Sequence, residues 1–183
     1  MRIITGKLKG RIIDVPDTGE LRPTSDRAKE GIFSAIAARR YFDGLTVLDL
    51  FAGSGNLGFE ALSRGAKQVL FVDMNPRHIE HIRHTAEQLD VAAQCVTRTA
   101  EVMELLNGPV LPADLIFADP PYDYPAMDEI MDTVLEQEWL TADGLLILEH
   151  DKRHDFSAHA HAVYTKAYGR TIATIFAAKP DQF

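Results

Sequence analysis

Two apolar strands, one interrupted by an acid and the other ending in one, constrain this chain more than any other feature. Val47-Leu48-Asp49-Leu50-Phe51 runs directly into Ala52-Gly53-Ser54-Gly55-Asn56-Leu57-Gly58, and Val69-Leu70-Phe71-Val72-Asp73 repeats the strand design. Gly53 and Gly55 permit a tight turn that brings backbone N–H groups close to a ligand. A helix starting near Asn56 adds oriented donors. Asn75-Pro76 opens the next helix, with Asn as cap and Pro in the first turn, and the pattern carries that helix to about Leu89. Further strands are expected at 94–97, 114–118 and 145–149, separated by helical stretches at 100–106 and 126–137. Strands alternating with helices imply a parallel sheet covered on both faces. Residues 162–167 and 171–177, joined by Tyr168-Gly169-Arg170, form an antiparallel pair at the sheet edge.

Ahead of this α/β pattern stand two short β segments, 2–5 and 11–15, around Gly6-Lys7-Leu8-Lys9-Gly10, which predict a hairpin. Arg22-Pro23-Thr24-Ser25-Asp26 then leads into a helix on which Ala28, Ile32, Ala35 and Ile36 share a face, with Phe33 at its margin. Gly31 weakens that helix unless close packing excludes a side chain there. The expected division is a small N-terminal hairpin and helix, residues 1–40, on one α/β domain, residues 41–183.

Composition narrows the function classes. No apolar run is long enough to span a membrane, and the first residues lack the apolar run of a secretory signal. Cys95 is the single cysteine, so an intrachain disulfide and a multi-thiolate metal site are excluded and a reducing cytoplasm is the simplest compartment. The net charge of −8 opposes polyanion binding, but it is uneven. Residues 1–40 carry nine Lys/Arg against five Asp/Glu, and the remainder ten against 22. A basic segment on an acidic body can still meet a phosphate backbone at one face. No coiled coil or exposed apolar helix demands a partner, which suggests a monomer.

The glycine turn lacks the Gly-Lys-Ser/Thr ending of a phosphate loop. Its G-x-G-x-x-G spacing matches a dinucleotide fingerprint, yet Asp49 just before it would repel a pyrophosphate. Asp49 suits a cationic or hydroxyl-rich ligand such as the amino-acid part of S-adenosylmethionine. Asp73, ending the next strand, can accept both ribose hydroxyls. Phe51, Ala52, Gly53 and Gly55 around the turn, Met74 beside Asp73, and Thr99 with Ala100 near the adenine complete the candidate cofactor set. Thr99 serves equally as a helix cap.

Asp119-Pro120-Pro121-Tyr122 follows the Leu115-Ile116-Phe117-Ala118 strand. Two prolines stiffen the backbone and remove two N–H donors. The Asp119 carboxylate and the Pro120 carbonyl can accept both hydrogens of one amino group, while Tyr122 stacks on the base that bears it. An exocyclic base nitrogen is a poor nucleophile because its lone pair is delocalised. Two acceptors can hold it pyramidal and aim the lone pair at a sulfonium methyl, with Asp119 or water taking the proton afterward. No metal is required. His78, His81 and His84 read as a surface or RNA-facing stripe rather than metal ligands, and His150, His154, His159 and His161 as a polar crossover. Trp139 fits the core at a helix end.

Together these residues resemble the RsmD family of bacterial small-subunit ribosomal RNA (guanine-N2)-methyltransferases over nearly the whole chain. The resemblance rests on Arg2-Ile3-Ile4-x-Gly6, Lys9-Gly10-Arg11, Leu21-Arg22-Pro23-Thr24-Ser25-Asp26-Arg27, the 48–55 turn, Glu60-Ala61-Leu62-Ser63-Arg64-Gly65-Ala66 and the Asp119–Tyr122 turn. It implies a Rossmann-like class I S-adenosylmethionine-dependent methyltransferase fold. That is a seven-stranded, mostly parallel sheet with an antiparallel C-terminal edge pair and an N-terminal β hairpin. It also implies methyl transfer from S-adenosylmethionine to N2 of a guanine in 16S ribosomal RNA within a partly assembled 30S particle. Gly53 and Gly55 would line the cofactor pocket, Asp73 would hold the ribose, and Asp119, Pro120 and Tyr122 would handle the guanine. Arg22, Thr24, Ser25, Asp26 and Arg27 would border the cleft. The chain departs from the family in offering Thr99 where members carry Asn or Asp. Its acidic body is a second departure, leaving Arg2, Lys7, Lys9, Arg11, Arg22, Arg27 and Lys29 to attract phosphates. An adenine-N6 methyltransferase would use the same tetrapeptide, and a noncatalytic nucleic-acid-binding or assembly protein is the other alternative.

Overall fold

In the computed structural model, which describes residues 1–15 and 25–182, seven strands form one sheet. They are β1 (Thr46–Leu50), β2 (Gln68–Asp73), β3 (Cys95–Thr99), β4 (Ala113–Ala118), β5 (Leu140–His150), β6 (Ala162–Tyr168) and β7 (Thr171–Ala177). Their order is β3-β2-β1-β4-β5-β7-β6; the first five are parallel and the β5–β7 and β7–β6 pairs antiparallel. Five helices accompany them: α1 (Asp26–Ala37), α2 (Asn56–Ser63), α3 (Pro76–Gln88), α4 (Val102–Leu106) and α5 (Met127–Glu136).

The two-residue period of each strand explains how both sheet faces become core. Val47, Leu115, Phe117, Leu145 and Ile147 pack with α1, α2 and α3 on one face. Their chain neighbours Leu48, Ile116, Ala118, Leu146 and Leu148 pack with α4, α5 and Trp139 on the other. Trp139 is fully buried and its indole N–H donates to the Leu106 carbonyl at 3.0 Å. Gly31 is needed for packing, because a Cβ there would stand 2.3 Å from the Tyr168 ring on β6.

The predicted N-terminal hairpin forms around the antiparallel bridge Arg2↔Ile12, with the Ile3, Gly10 and Ile13 N–H groups donating to the Arg11, Ile3 and Met1 carbonyls. Its remaining donors reach α2. Ile4 and Thr5 donate to the Glu60 carboxylate of α2 at 2.8 and 3.1 Å, and Leu8 donates to Ser63 Oγ at 2.9 Å. Ile3 and Ile13, both fully buried, join the same apolar cluster as α1 and the sheet. The segment is therefore integral with the core. Two other boundaries differ from the sequence expectation: β5 starts at Leu140, and β3 continues through Thr99 before α4 begins at Val102.

Candidate active site

The strand order reverses between β1 and β4, and in open α/β sheets the crevice at such a point, beyond the C-terminal strand ends, is where ligands bind. A cavity of about 400 Å³ occupies it, built from four strand-end segments and Met1. β1 and the following turn contribute Asp49, Phe51, Ala52, Gly53 and Ser54, with Asn56 and Leu57 from the first turn of α2. The end of β2 contributes Asp73, Met74, Asn75 and His78. Glu101 and Val102 enter after β3, and Asp119, Pro120, Pro121, Tyr122 and Tyr124 after β4.

The glycines of the turn have separate duties. Gly53 donates its N–H to Asp73 Oδ2 at 2.8 Å, joining the ends of β1 and β2. Gly55 caps α2 in the left-handed region at φ 77°, and a Cβ on it would stand 2.7 Å from the Phe59 ring. It shapes the turn from outside the cavity lining. Gly58 lies against the Phe71 ring, where a Cβ would approach to 2.3 Å, and donates its N–H to Asp49 Oδ2 at 2.9 Å. The third glycine of the G-x-G-x-x-G spacing thus serves helix–strand packing and the Asp49 carboxylate together.

Three carboxylates converge here. Asp49 is 2% exposed, and burial pushes its carboxyl well above the usual carboxylate range. The Gly58 N–H counteracts this, while the charges of Asp119 and Asp73 add to it. Asp73 also accepts from the Asn75 N–H at 2.8 Å and lies 3.1 Å from His78 Nδ1. A cation placed between these groups relieves their mutual repulsion, whereas an anion intensifies it.

The acidic turn after β4 is held from two sides. Arg153 donates to the Tyr122 carbonyl at 2.8 Å, and Tyr122 Oη sits 3.1 Å from Thr171 Oγ1 at the start of β7. Tyr124 meets the Phe51 ring edge-on at 4.9 Å, and its hydroxyl donates to the Glu101 carboxylate. Burial, with Glu101 second, raises the Tyr124 phenol above its ordinary value. Phe51, at φ 57°, has left the strand to present that ring.

Asp49, Phe51, Ala52, Gly53, Asp73, Met74, Asp119, Pro120 and Tyr122 all line the one cavity. Thr99 and Ala100 do not. Thr99 is an exposed strand residue paired with Asp73 in the β2–β3 ladder, and Ala100 donates its N–H to the Asp73 carbonyl. Glu101 and Val102 occupy the place expected of them. Glu101 closes the Thr99-Ala100-Glu101 stretch expected near the adenine, whereas Tyr124 and His78 were not expected in the site. His78 is buried in the cavity wall, not on a surface stripe with His81 and His84, because its first-turn position on α3 faces Asp73. Among the described residues no cluster of three or more His, Cys, Asp or Glu could hold a metal ion.

The basic residues separate into two groups. Lys7 bonds Gln94 just before β3, and Arg11 bonds the Gln88 carbonyl at the end of α3. With exposed Lys9, they lie beyond the C-terminal end of α2, about 12 Å of helix from the cavity that its N-terminus borders. Lys29 is fully buried and unable to reach a phosphate. At the start of α1, Ser25 caps the helix through the Ala28 N–H at 3.1 Å, Asp26 pairs with Arg2 at 3.6 Å, and Arg27 is exposed; none of the three lines the cavity. Arg22 and Thr24 lie outside the described residues.

Comparisons with known proteins bear on this arrangement. The protein family described as Conserved hypothetical protein 95 matches residues 1–177. Ribosomal RNA small subunit methyltransferase D of Haemophilus influenzae is 34% identical, over 83% of this chain and 79% of that one. The solved structure of the Escherichia coli yhhF protein covers 97% of both chains with a TM-score of 0.84 and 28% identity. An RNA methyltransferase of Salinibacter ruber in complex with S-adenosyl-L-homocysteine shares the fold, with a TM-score of 0.65, 16% identity, and coverage of 85% of this chain and 93% of that one. The chain has the Rossmann-like class I methyltransferase fold and belongs to the RsmD family of ribosomal RNA methyltransferases.

Proposed function

We propose that the protein transfers a methyl group from S-adenosylmethionine to the exocyclic N2 of a guanine in small-subunit ribosomal RNA. The convergence of Asp49, Asp73 and Asp119 on one cavity carries the reading, because it suits a ligand with both a sulfonium and an ammonium charge. It also disfavours a dinucleotide, whose pyrophosphate would meet Asp49. Asp49 and the Gly53 turn hold the amino-acid part, and Asp73 holds the ribose. Met74 and Val102 border the adenine. When bound, S-adenosylmethionine supplies an activated methyl group on its sulfonium sulfur.

The chain's own residues do the rest. The Asp119 carboxylate and the Pro120 carbonyl accept the two amino hydrogens and direct the nitrogen lone pair into the cavity. Tyr122, fixed at its hydroxyl and carbonyl, offers its ring to the base. As the N–C bond forms and the S–C bond breaks, its electron pair returns to sulfur, and the nitrogen then loses a proton to Asp119 or water. Orientation and electrostatic preorganisation supply most of the rate. The target base reaches the cavity flipped or already unpaired.

The substrate is a partly assembled small subunit, met in the cytoplasm by a monomeric enzyme. Among the described residues no helix is long and apolar enough to cross a membrane. Methyl transfer from labelled S-adenosylmethionine to naked RNA and to immature small subunits, followed by nucleoside analysis, tests the reading. N2-methylguanosine is expected, and its loss in Asp119→Ala with S-adenosylhomocysteine binding retained. N6-methyladenosine, or undiminished turnover by that variant, would overturn it.

A further inference from the structure

The proposed reaction brings a polyanion to a chain of net charge −8, so attraction has to be concentrated where RNA meets the enzyme. The turn carrying Lys7 and Lys9 stands at the end of α2 away from the cavity. Another part of the chain is better placed. Residues 156–180 contain no Asp or Glu, the longest acid-free run in the sequence, and include Lys166 and Arg170. They form β6, β7 and the turn between them.

Antiparallel pairing delivers that turn to the catalytic edge. Ile172 lies opposite His150, the last residue of β5, and the neighbouring Thr171 touches Tyr122. Beside the turn, Ser25, Arg27, Lys166, Ala167, Tyr168 and Gly169 line a second cavity of about 350 Å³. Tyr168 is a firm wall for it, seated against Gly31 and 3.2 Å from the Tyr164 hydroxyl. Lys166 Nζ stands 5.5 Å from its ring centroid. Arg27, Lys166 and Arg170 are exposed, and among the described residues none is within 4.0 Å of a carboxylate. Arg153 on the same edge is already committed to Asp151 and the Tyr122 carbonyl.

Resting on the proposed RNA substrate, we propose that Arg27, Lys166 and Arg170 form a phosphate clamp that grips the RNA backbone beside the target guanine. The clamp holds the strand at the mouth of the site while Tyr122, linked to the same turn through Thr171, receives the base. A fluorescein-labelled RNA hairpin with an unpaired guanine loop, titrated by anisotropy between roughly 50 and 200 mM salt, reads it. Replacing the three residues with alanine should lower the log–log salt slope by about 2, since each single-strand phosphate contact contributes about 0.7. Lys166→Arg with Arg170→Lys should retain the slope. S-adenosylhomocysteine affinity and melting temperature should stay at wild-type values in every variant. An unchanged slope in the alanine variant, with wild-type enzyme still forming N2-methylguanosine, sinks the clamp alone. Wild-type enzyme that neither binds nor methylates RNA sinks the clamp and the proposed function together.

Discussion

Removing the Glu60 charge tests how the N-terminal segment is fastened to the active-site domain. Glu60 is fully buried on α2 and accepts from the Ile4 and Thr5 N–H groups, from Arg64 Nε at 2.9 Å, and pairs with Lys29 Nζ at 3.4 Å. Lys29 is itself fully buried, and burial lowers its pKa even though Glu60 raises it. In Glu60→Gln the amide oxygen can keep one backbone donor. Its NH2 group then faces the other donor, and Lys29 loses its counter-charge. Breaking one side of a buried ion pair costs about 3–5 kcal/mol. With a urea m-value of about 2 kcal/mol/M, the denaturation midpoint should fall by roughly 1.5–2.5 M. Lys29→Met should also destabilise, but the double variant should cost less than the sum, because neither charge is then orphaned. Since Met1 lines the cofactor cavity, S-adenosylhomocysteine affinity should drop with the loosened segment. A Glu60→Gln midpoint within about 0.5 M of wild type, corresponding to about 1 kcal/mol, would refute this account of the latch.

Two further perturbations probe the cavity. Asp49 has a raised folded-state pKa, so its contribution to stability is present below the unfolded carboxylate pKa and is lost as pH rises through the folded one. Asp49→Asn keeps an acceptor for the Gly58 N–H and removes that loss, so the variant should melt above wild type at neutral pH and match it in acid; parallel melting curves would contradict this. His78→Ala removes a partner of Asp73, and S-adenosylhomocysteine affinity measured calorimetrically should fall about tenfold, or about 1.4 kcal/mol. His78→Asn should restore part of it, and equal affinity in all three proteins would show that Asp73 needs no such support.

What the sequence disclosed follows from the range of each interaction. The strands β1, β2 and β4 announce themselves because burial on both faces demands nearly continuous apolar runs, and an acid at the end of such a run has to face the crevice. The tail strand β7 was legible to the residue, 171–177, since a glycine turn and β-branched alternation are local signals. The N-terminal hairpin was legible for the same reason, and its glycines and isoleucines do pair locally. Its docking was not, because Glu60 and Ser63, which take the Ile4, Thr5 and Leu8 donors, lie more than 50 positions away in the chain. A two-residue extension of β3 moved the cavity contact from Thr99 and Ala100 to Glu101 and Val102, a shift within the ordinary uncertainty of strand boundaries.

Charge counting failed differently. It located the basic residues near the N-terminus without saying which end of the sheet they reach. That is decided by α2, whose eight residues separate the Gly53 turn from the Ser63 contact of Leu8. Lys29 was counted as a phosphate ligand, yet it is the internal counter-ion of Glu60. Conversely, Lys166 and Arg170 contribute little to a charge tally, but β-sheet register carries them to the edge where Asp119 and Tyr122 stand. An acidic enzyme therefore does not need a basic surface to hold RNA. A few cations suffice if the topology that assembles the cofactor crevice also returns them to its rim, and here the antiparallel return of β7 along β5 performs that delivery.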